Sequence, residues 1–117
     1  VNSKLKLYKI LNNIVEKKGT IYGIGAPSRS STLINYLGLS NEILKSVCEI
    51  DGSYKIGRFM PGTDIPIIAE KKLYKDKPEY ALLLSWHISK ELISNLKRRG
   101  FKGKFIIPLP KPKVVGG

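Results

Sequence analysis

Three stretches carry residue types that could do chemistry. In the first, Gly23-Ile24-Gly25-Ala26-Pro27-Ser28-Arg29-Ser30-Ser31-Thr32, a β-favouring run stops at Gly25, small residues turn the chain, and a hydroxyl-rich segment opens a helical pattern. Strand, tight turn and helix N-terminus together offer unpaired backbone N–H groups to an anion. Gly23 and Gly25 let the backbone approach a ligand where a Cβ would intrude, and Arg29 adds a fixed positive charge. The second stretch, Lys55-Ile56-Gly57-Arg58, places further cations in the loop that leaves the next strand. The third, Ser85-Trp86-His87, ends a long apolar run and holds the one side chain that titrates near neutrality unaided. In a parallel sheet the carboxyl ends of the strands share one rim, where these segments can converge. The chemistry they suggest is recognition of a phosphate or a nucleotide.

Equipment for catalysis is sparse. One histidine, one cysteine and no metal-ligand spacing argue against a metal site. There is no nucleophile elbow, and no lysine follows the glycine turn as in an NTP-binding loop. The turn matches a dinucleotide fingerprint in its first two glycines only; the third is missing and Pro27 intervenes. His87 is the weak catalytic candidate, a general base on the rim, although a lone histidine after a strand is more often structural. Trp86 can stack on a base or sugar, or bury against a partner domain or the core, and the burial roles are preferred. Glu49 and Asp51 compete for a ribose hydroxyl, but Asp51 before Gly52 is also a turn former. Cys48, among apolar neighbours, reads as a small buried hydrophobe.

The elements that must position these residues alternate strand and helix. An amphipathic helix is expected over residues 4–18, with Leu7, Leu11, Ile14 and Val15 as its stripe and Gly19 as its stop. Strands are expected at 20–24, 46–50, 80–84 and 104–107. Helices are expected at about 30–36, 69–75 and 88–99, with one further turn at 41–44. Pro61 and Pro66 confine any strand in the 55–68 segment to a sheet edge. The prolines at 108, 110 and 112 are expected to end regular structure, leaving 111–117 as a tail. The fold class is therefore α/β, a small Rossmann-like three-layer sandwich. It has a mostly parallel sheet of about five strands, strands one and four at its centre, and an extra N-terminal helix.

A chain of 117 residues with 42% hydrophobic and 26% charged residues is expected to form a single domain. No apolar run approaches the ~20 residues of a membrane span. The N-terminus alternates lysine with leucine instead of showing the apolar block of a signal peptide, so a cytoplasmic location is expected. The formal net charge of +12 raises nucleic acid as a partner. The lysines, however, are spread over every segment, including 71–77 and 97–104, and no nucleic-acid-binding motif accompanies them, so a solvated surface is the preferred reading.

The three stretches taken together carry a resemblance. Gly23-Ile24-Gly25-Ala26-Pro27 stands with Thr32-Leu33 and Asn35-Tyr36, and Lys55-Ile56-Gly57-Arg58 with Met60-Pro61-Gly62-Thr63 and Ile65-Pro66-Ile67. Leu84-Ser85-Trp86-His87 stands with Gly103-Lys104-Phe105 and Pro108-Leu109-Pro110. Over residues 20–115 this resembles the C-terminal domain of S-adenosylmethionine-dependent C-methyltransferases acting on nucleotide-linked deoxysugars. The resemblance implies a domain excised from a longer chain, with S-adenosylmethionine and zinc held in N-terminal parts and no cofactor here. It implies a nucleotide-diphosphate sugar and the methyltransferase domain of the same chain as partners, with no membrane. The ligand-binding positions it implies are Gly25, Ala26, Pro27, Asn35, Lys55, Gly57, Arg58, Pro61, Gly62, Trp86 and His87; Ser28 and Arg29 join the candidates from the reading of the glycine turn itself. Arg29-Ser30-Ser31 departs from the Lys-Gly-Asn that such proteins tend to carry before the threonine, and Glu49-Ile50-Asp51-Gly52 from the usual Asp-Arg-Asn. A domain that only docks, or a stand-alone nucleotide or coenzyme A binder, are the alternatives.

Overall fold

Short β-favouring runs separated by helical ones pair side by side into one six-stranded sheet. The computed structural model describes residues 2–25, 34–35, 37–49 and 52–116. Its strands are β1 (Ile21–Ile24), β2 (Ser46–Glu49), β3 (Ile67–Ala69), β4 (Tyr80–Leu83), β5 (Lys104–Ile107) and β6 (Lys113–Val115). The helices are α1 (Asn2–Glu16), α2 (Lys71–Asp76) and α3 (Ser89–Arg98), with a 3-10 turn over Trp86–Ile88; Ile34, Asn35 and Leu37 are also helical. The sheet order is β3-β2-β1-β4-β5-β6, parallel except for β6. Strands one and four are central as expected, and the order reverses between them.

Side chains alternate across the sheet with the period of two that a pleated strand imposes. Ile21, Val47, Ile67, Leu82, Leu84 and Ile106 face a core shared with Leu7, Leu11 and Ile14 of α1 and with Ile34 and Leu37. Ile24, Cys48, Ala81, Leu83, Phe105 and Ile107 face a second core closed by Leu73 of α2 and Leu96 of α3. The three-layer sandwich follows, because each helix has only one apolar stripe to bury. Strand β4 is buried on both sides, which explains its unbroken apolar run.

Local chemistry sets the ends of the elements. Helix α1 closes in a Schellman motif: the Gly19 N–H donates to Ile14 O at 2.8 Å and the Lys18 N–H to Val15 O at 2.9 Å. The left-handed residue is Lys18, at φ 64, not Gly19. Gly19 is required for space, since a Cβ there would lie 2.7 Å from Ile14 Cγ2.

Several boundaries depart from the sequence reading. Chain past Pro112 is no tail: Lys113–Val115 returns antiparallel to β5, pairing Phe105 with Val115. A proline run stops a helix, but it does not prevent the next residues from adding an edge strand, where one row of N–H groups faces solvent. Ala69 belongs to β3, so α2 starts at Lys71. The segment Trp86–Ile88 is a 3-10 turn preceding α3. Edge strand β3 lies at the sheet border as the prolines required, and the preceding chain folds back on it through a Phe59–Pro66 antiparallel bridge.

Candidate functional site

Parallel pairing brings the carboxyl ends of β1, β2 and β4 level, with Ile24 opposite both Cys48 and Leu83. Just beyond, the Gly25 N–H donates to Cys48 O at 3.2 Å and the Leu84 N–H to Ile24 O at 3.1 Å. Gly25 has φ 88, a conformation that costs a residue with a Cβ roughly 1–2 kcal/mol. It stands where the strand order reverses, the place at which open α/β sheets leave a crevice for ligands. Gly23, by contrast, is buried: a Cβ there would lie 3.0 Å from Leu84 Cδ1 and 3.2 Å from Val47 Cγ2. Its missing side chain accommodates the core, not a ligand.

Around Gly25 the rim carries charge and one aromatic pair. Lys55 Nζ lies 4.0 Å from Glu49 Oε2, a long ion pair at the end of β2. The Glu49 carbonyl accepts the Glu70 N–H at 2.8 Å, which ties this strand end to the start of α2. Beyond β4, the Trp86 and His87 rings stand edge to face with centroids 5.9 Å apart. Trp86 packs partly against the second core, whereas His87 is exposed. Ala26, Pro27, Ser28, Arg29 and Asp51 lie outside the described residues.

The other implied ligand-binding positions are placed elsewhere. Gly57 and Arg58 run along the β3 edge, where the Gly57 N–H donates to Ile67 O and Arg58 O accepts the Ile67 N–H. The Arg58 guanidinium sits 5.5 Å from the centre of the exposed Tyr54 ring. Asn35, Pro61 and Gly62 meet one another near the amino end of the sheet. Asn35 Nδ2 donates to Pro61 O at 3.1 Å, and a Cβ on Gly62 (φ 75) would come within 3.1 Å of Asn35 Oδ1. Thr63 Oγ1 donates to Met60 O at 2.8 Å and accepts the Ile65 N–H, so the Met-Pro-Gly-Thr stretch is a tightly bonded turn. The structure thus gathers Gly25, Lys55, Trp86 and His87 on one rim and puts Asn35, Pro61 and Gly62 toward the opposite end.

Under α2 lies a polar layer that sequence reasoning missed. The Tyr22 hydroxyl donates to Asp76 at 2.6 Å, and the Tyr74 hydroxyl to Glu70 at 3.0 Å. Arg99 also pairs with Glu70, joining α2 to the end of α3. Burial, then the bond to Asp76, raises the Tyr22 hydroxyl well above its ordinary value. Burial and then Glu70 push Tyr74 up to about 12 against the pull of Arg99. Burial, helped by Glu70 and Asp76, pushes the Cys48 thiol up to about 12. A thiol held protonated under the sheet is no nucleophile at neutral pH. The spacing Glu70–Tyr74 is the i, i+4 pair of a helix, a signal present in the sequence; its partner Arg99 is not deducible without the packing of α2 on α3.

A concavity opens at the amino-terminal end of the sheet, between the loops that lead into β4 and β5. It measures about 620 Å³ and includes Tyr74, Lys77, Pro78, Tyr80, Phe101 and Lys102 in its walls. Among the described residues, no group of three His, Cys, Asp or Glu side chains gathers to hold a metal, and no helix is long and apolar enough to cross a membrane.

Comparison with known proteins places the whole chain in a family. Residues 1–110 match the family described as the C-methyltransferase C-terminal domain. The chain belongs to that family. It is also 31% identical over 115 residues to the C-methyltransferase NovU of Streptomyces niveus. That alignment takes in 96% of this chain and 27% of NovU, so the chain spans about a quarter of the length of the curated relative it matches.

Proposed function

We propose that this C-methyltransferase C-terminal domain holds a nucleotide-diphosphate sugar at the carboxyl rim and presents it to a methyltransferase domain in the same, longer cytoplasmic chain. The observation that carries the reading is Gly25 at the reversal of strand order, with Lys55, Glu49 and Trp86 around it. Lys55 supplies charge to the diphosphate, exchanging its long contact with Glu49 for a charge-assisted bond to phosphate. Glu49 is then placed to accept from a ribose hydroxyl. Backbone beyond Gly25 approaches the ligand without a Cβ in the way.

Methyl transfer itself is assigned to the remainder of the longer protein. Cys48 is buried and protonated, and His87 has no base or carboxylate orienting it among the described residues. S-adenosylmethionine fits this chain poorly, since Ala26-Pro27 interrupts the glycine fingerprint. In this reading that cofactor and a structural zinc belong to the other parts.

The test is a titration of the 15N-labelled domain with a deoxythymidine-diphosphate sugar. Saturable shifts at Gly25, Glu49, Lys55, Trp86 and His87, weakened about tenfold by Lys55→Ala, are expected. No shifts on that rim at millimolar sugar nucleotide would remove the ligand role. A second reading, pure docking, rests on Tyr54 and Phe59, which are 75% and 60% exposed on the β3 side. It requires that Phe59→Ala weaken association with the methyltransferase part while sugar-nucleotide binding is absent.

A further inference from the structure

We propose that the cleft at the amino-terminal end of the sheet is a second binding site, which takes an organic anion with a flat apolar body. The chemical class is that of aryl carboxylates, sulfonates and phosphates. The site lies at the opposite end of the strands from Gly25 and is independent of the sugar-nucleotide reading.

The size suits such a ligand: about 620 Å³ falls within the ~300–1,000 Å³ of small-molecule sites. The floor is apolar. Leu73, Pro78 and Phe101 are buried and line the cleft, with the half-buried rings of Tyr74 and Tyr80 beside them. Rings and a proline ring present flat faces, on which a planar group packs or stacks. The rim is cationic. Lys77, Lys102 and Lys104 line it and Glu79 is the one acid among the lining residues, a balance of three minus one, or +2. None of these lysines forms an ion pair among the described residues.

Helix C-termini normally repel an anion, and both α2 and α3 end here. Part of that carbonyl charge is already engaged by backbone N–H groups. Leu73 O accepts the Lys77 N–H at 3.1 Å, Leu96 O the Phe101 N–H at 2.9 Å, and Lys97 O the Gly100 N–H at 3.1 Å. The full charges of Lys77, Lys102 and Lys104 outweigh the fractional charge left on the remaining helix-end carbonyls. Lysines that are spread along the sequence at 77 and 102–104 are gathered by the fold, since both loops lead into adjacent parallel strands from the same end. Gathering like charges around an apolar floor is unfavourable until an anion arrives, which makes occupancy sensitive to salt.

The test uses 1-anilinonaphthalene-8-sulfonate as the probe, followed by 1H–15N spectra of the 117-residue chain at low salt. Saturable shifts confined to the amides of Lys77, Glu79, Tyr80 and 101–104 are expected. The double variant Lys102→Glu/Lys104→Glu should raise Kd at least tenfold without changing the melting temperature. The matched reversal Lys6→Glu/Lys9→Glu on α1 should leave Kd within about twofold. Equal loss from the α1 pair, or shifts scattered over surface lysines, would overturn the proposal. So would equal affinity for the uncharged N-phenyl-1-naphthylamine, which removes the anion requirement, or for inorganic phosphate, which removes the apolar one.

Discussion

The two ends of the parallel sheet are finished by different kinds of interaction. At the amino end, side chains are bonded to backbone across elements: Asn35 to Pro61 O, and Asp64 Oδ1 accepting the Asn41 N–H at 2.9 Å. Gly103 is pressed there so closely that a Cβ would lie 2.5 Å from Glu79 O. At the carboxyl end, the strand ends are joined backbone to backbone, Gly25 to Cys48 O and Leu84 to Ile24 O, and Lys55 stands 4.0 Å from Glu49. The difference teaches how the proposed function would divide from stability. Side-chain bonds to backbone hold the amino end, while the carboxyl end, where the proposed ligand would sit, keeps a long ion pair that could change partner on binding.

The comparison can be broken most forcefully at Gly103. Gly103→Ala drives a methyl group into the Glu79 carbonyl and the Phe101 ring, and should cost about 3 kcal/mol in denaturant unfolding. A loss below about 1 kcal/mol would mean that the amino end yields around Gly103.

High pH probes the polar layer that links the two ends through α2. Cys48, ordinarily at 9.0, and Tyr74, ordinarily at 10.0, are each pushed up to about 12, and Tyr22 is raised as well. Each group therefore ionises more readily unfolded than folded. Its stabilising contribution is intact below pH 9 to 10 and is lost as pH rises toward 12, with a limiting slope of about 1.4 kcal/mol per pH unit for each group. Stability measured from pH 8 to 11 should fall, and less steeply in Cys48→Ala. Parallel curves for the two proteins would contradict the burial of the thiol.

A paired substitution separates the ends functionally. Gly25→Ala should lose about 1–2 kcal/mol from its left-handed backbone together with sugar-nucleotide affinity. Asn35→Ala should lose about 1 kcal/mol from the bond to Pro61 and retain that affinity, by the same amide titration. If Asn35→Ala abolishes binding instead, the division between the ends fails. The smallest effect is expected at Lys18, where Lys18→Gly relieves a left-handed residue at the end of α1. A gain of about 0.5–1 kcal/mol, read as a higher unfolding midpoint, is expected with no effect on either end of the sheet.

Much of this fold was legible in advance because period and punctuation are local. The i, i+3, i+4 spacing of Leu7, Leu11 and Ile14 marks α1, and the unbroken run at 80–84 marks a strand covered on both faces. Strand β6 was not legible: three residues after a proline run carry no pattern, and their pairing is decided by the free edge of β5. The rim was legible in part. Gly25, Lys55, Trp86 and His87 converge because strand ends in a parallel sheet must, whereas Asn35, Pro61 and Gly62, close to the same motifs in sequence, point their interactions to the other end. Motif proximity does not record which end of a strand a loop returns to.

Sequence alone determined the α/β alternation, the buried thiol and the family of this chain, since those rest on residue type and spacing. Tertiary structure alone decided that Gly23 packs into the core while Gly25 stands past the end of β1 where the strand order reverses, two residues apart on a pleated strand whose end lies between them. It also decided that lysines far apart in the chain share one cleft with Phe101 and Tyr80. The physical reason is the same in both cases. A side chain's role depends on the face and the end of the sheet it occupies, and those are set by long-range pairing.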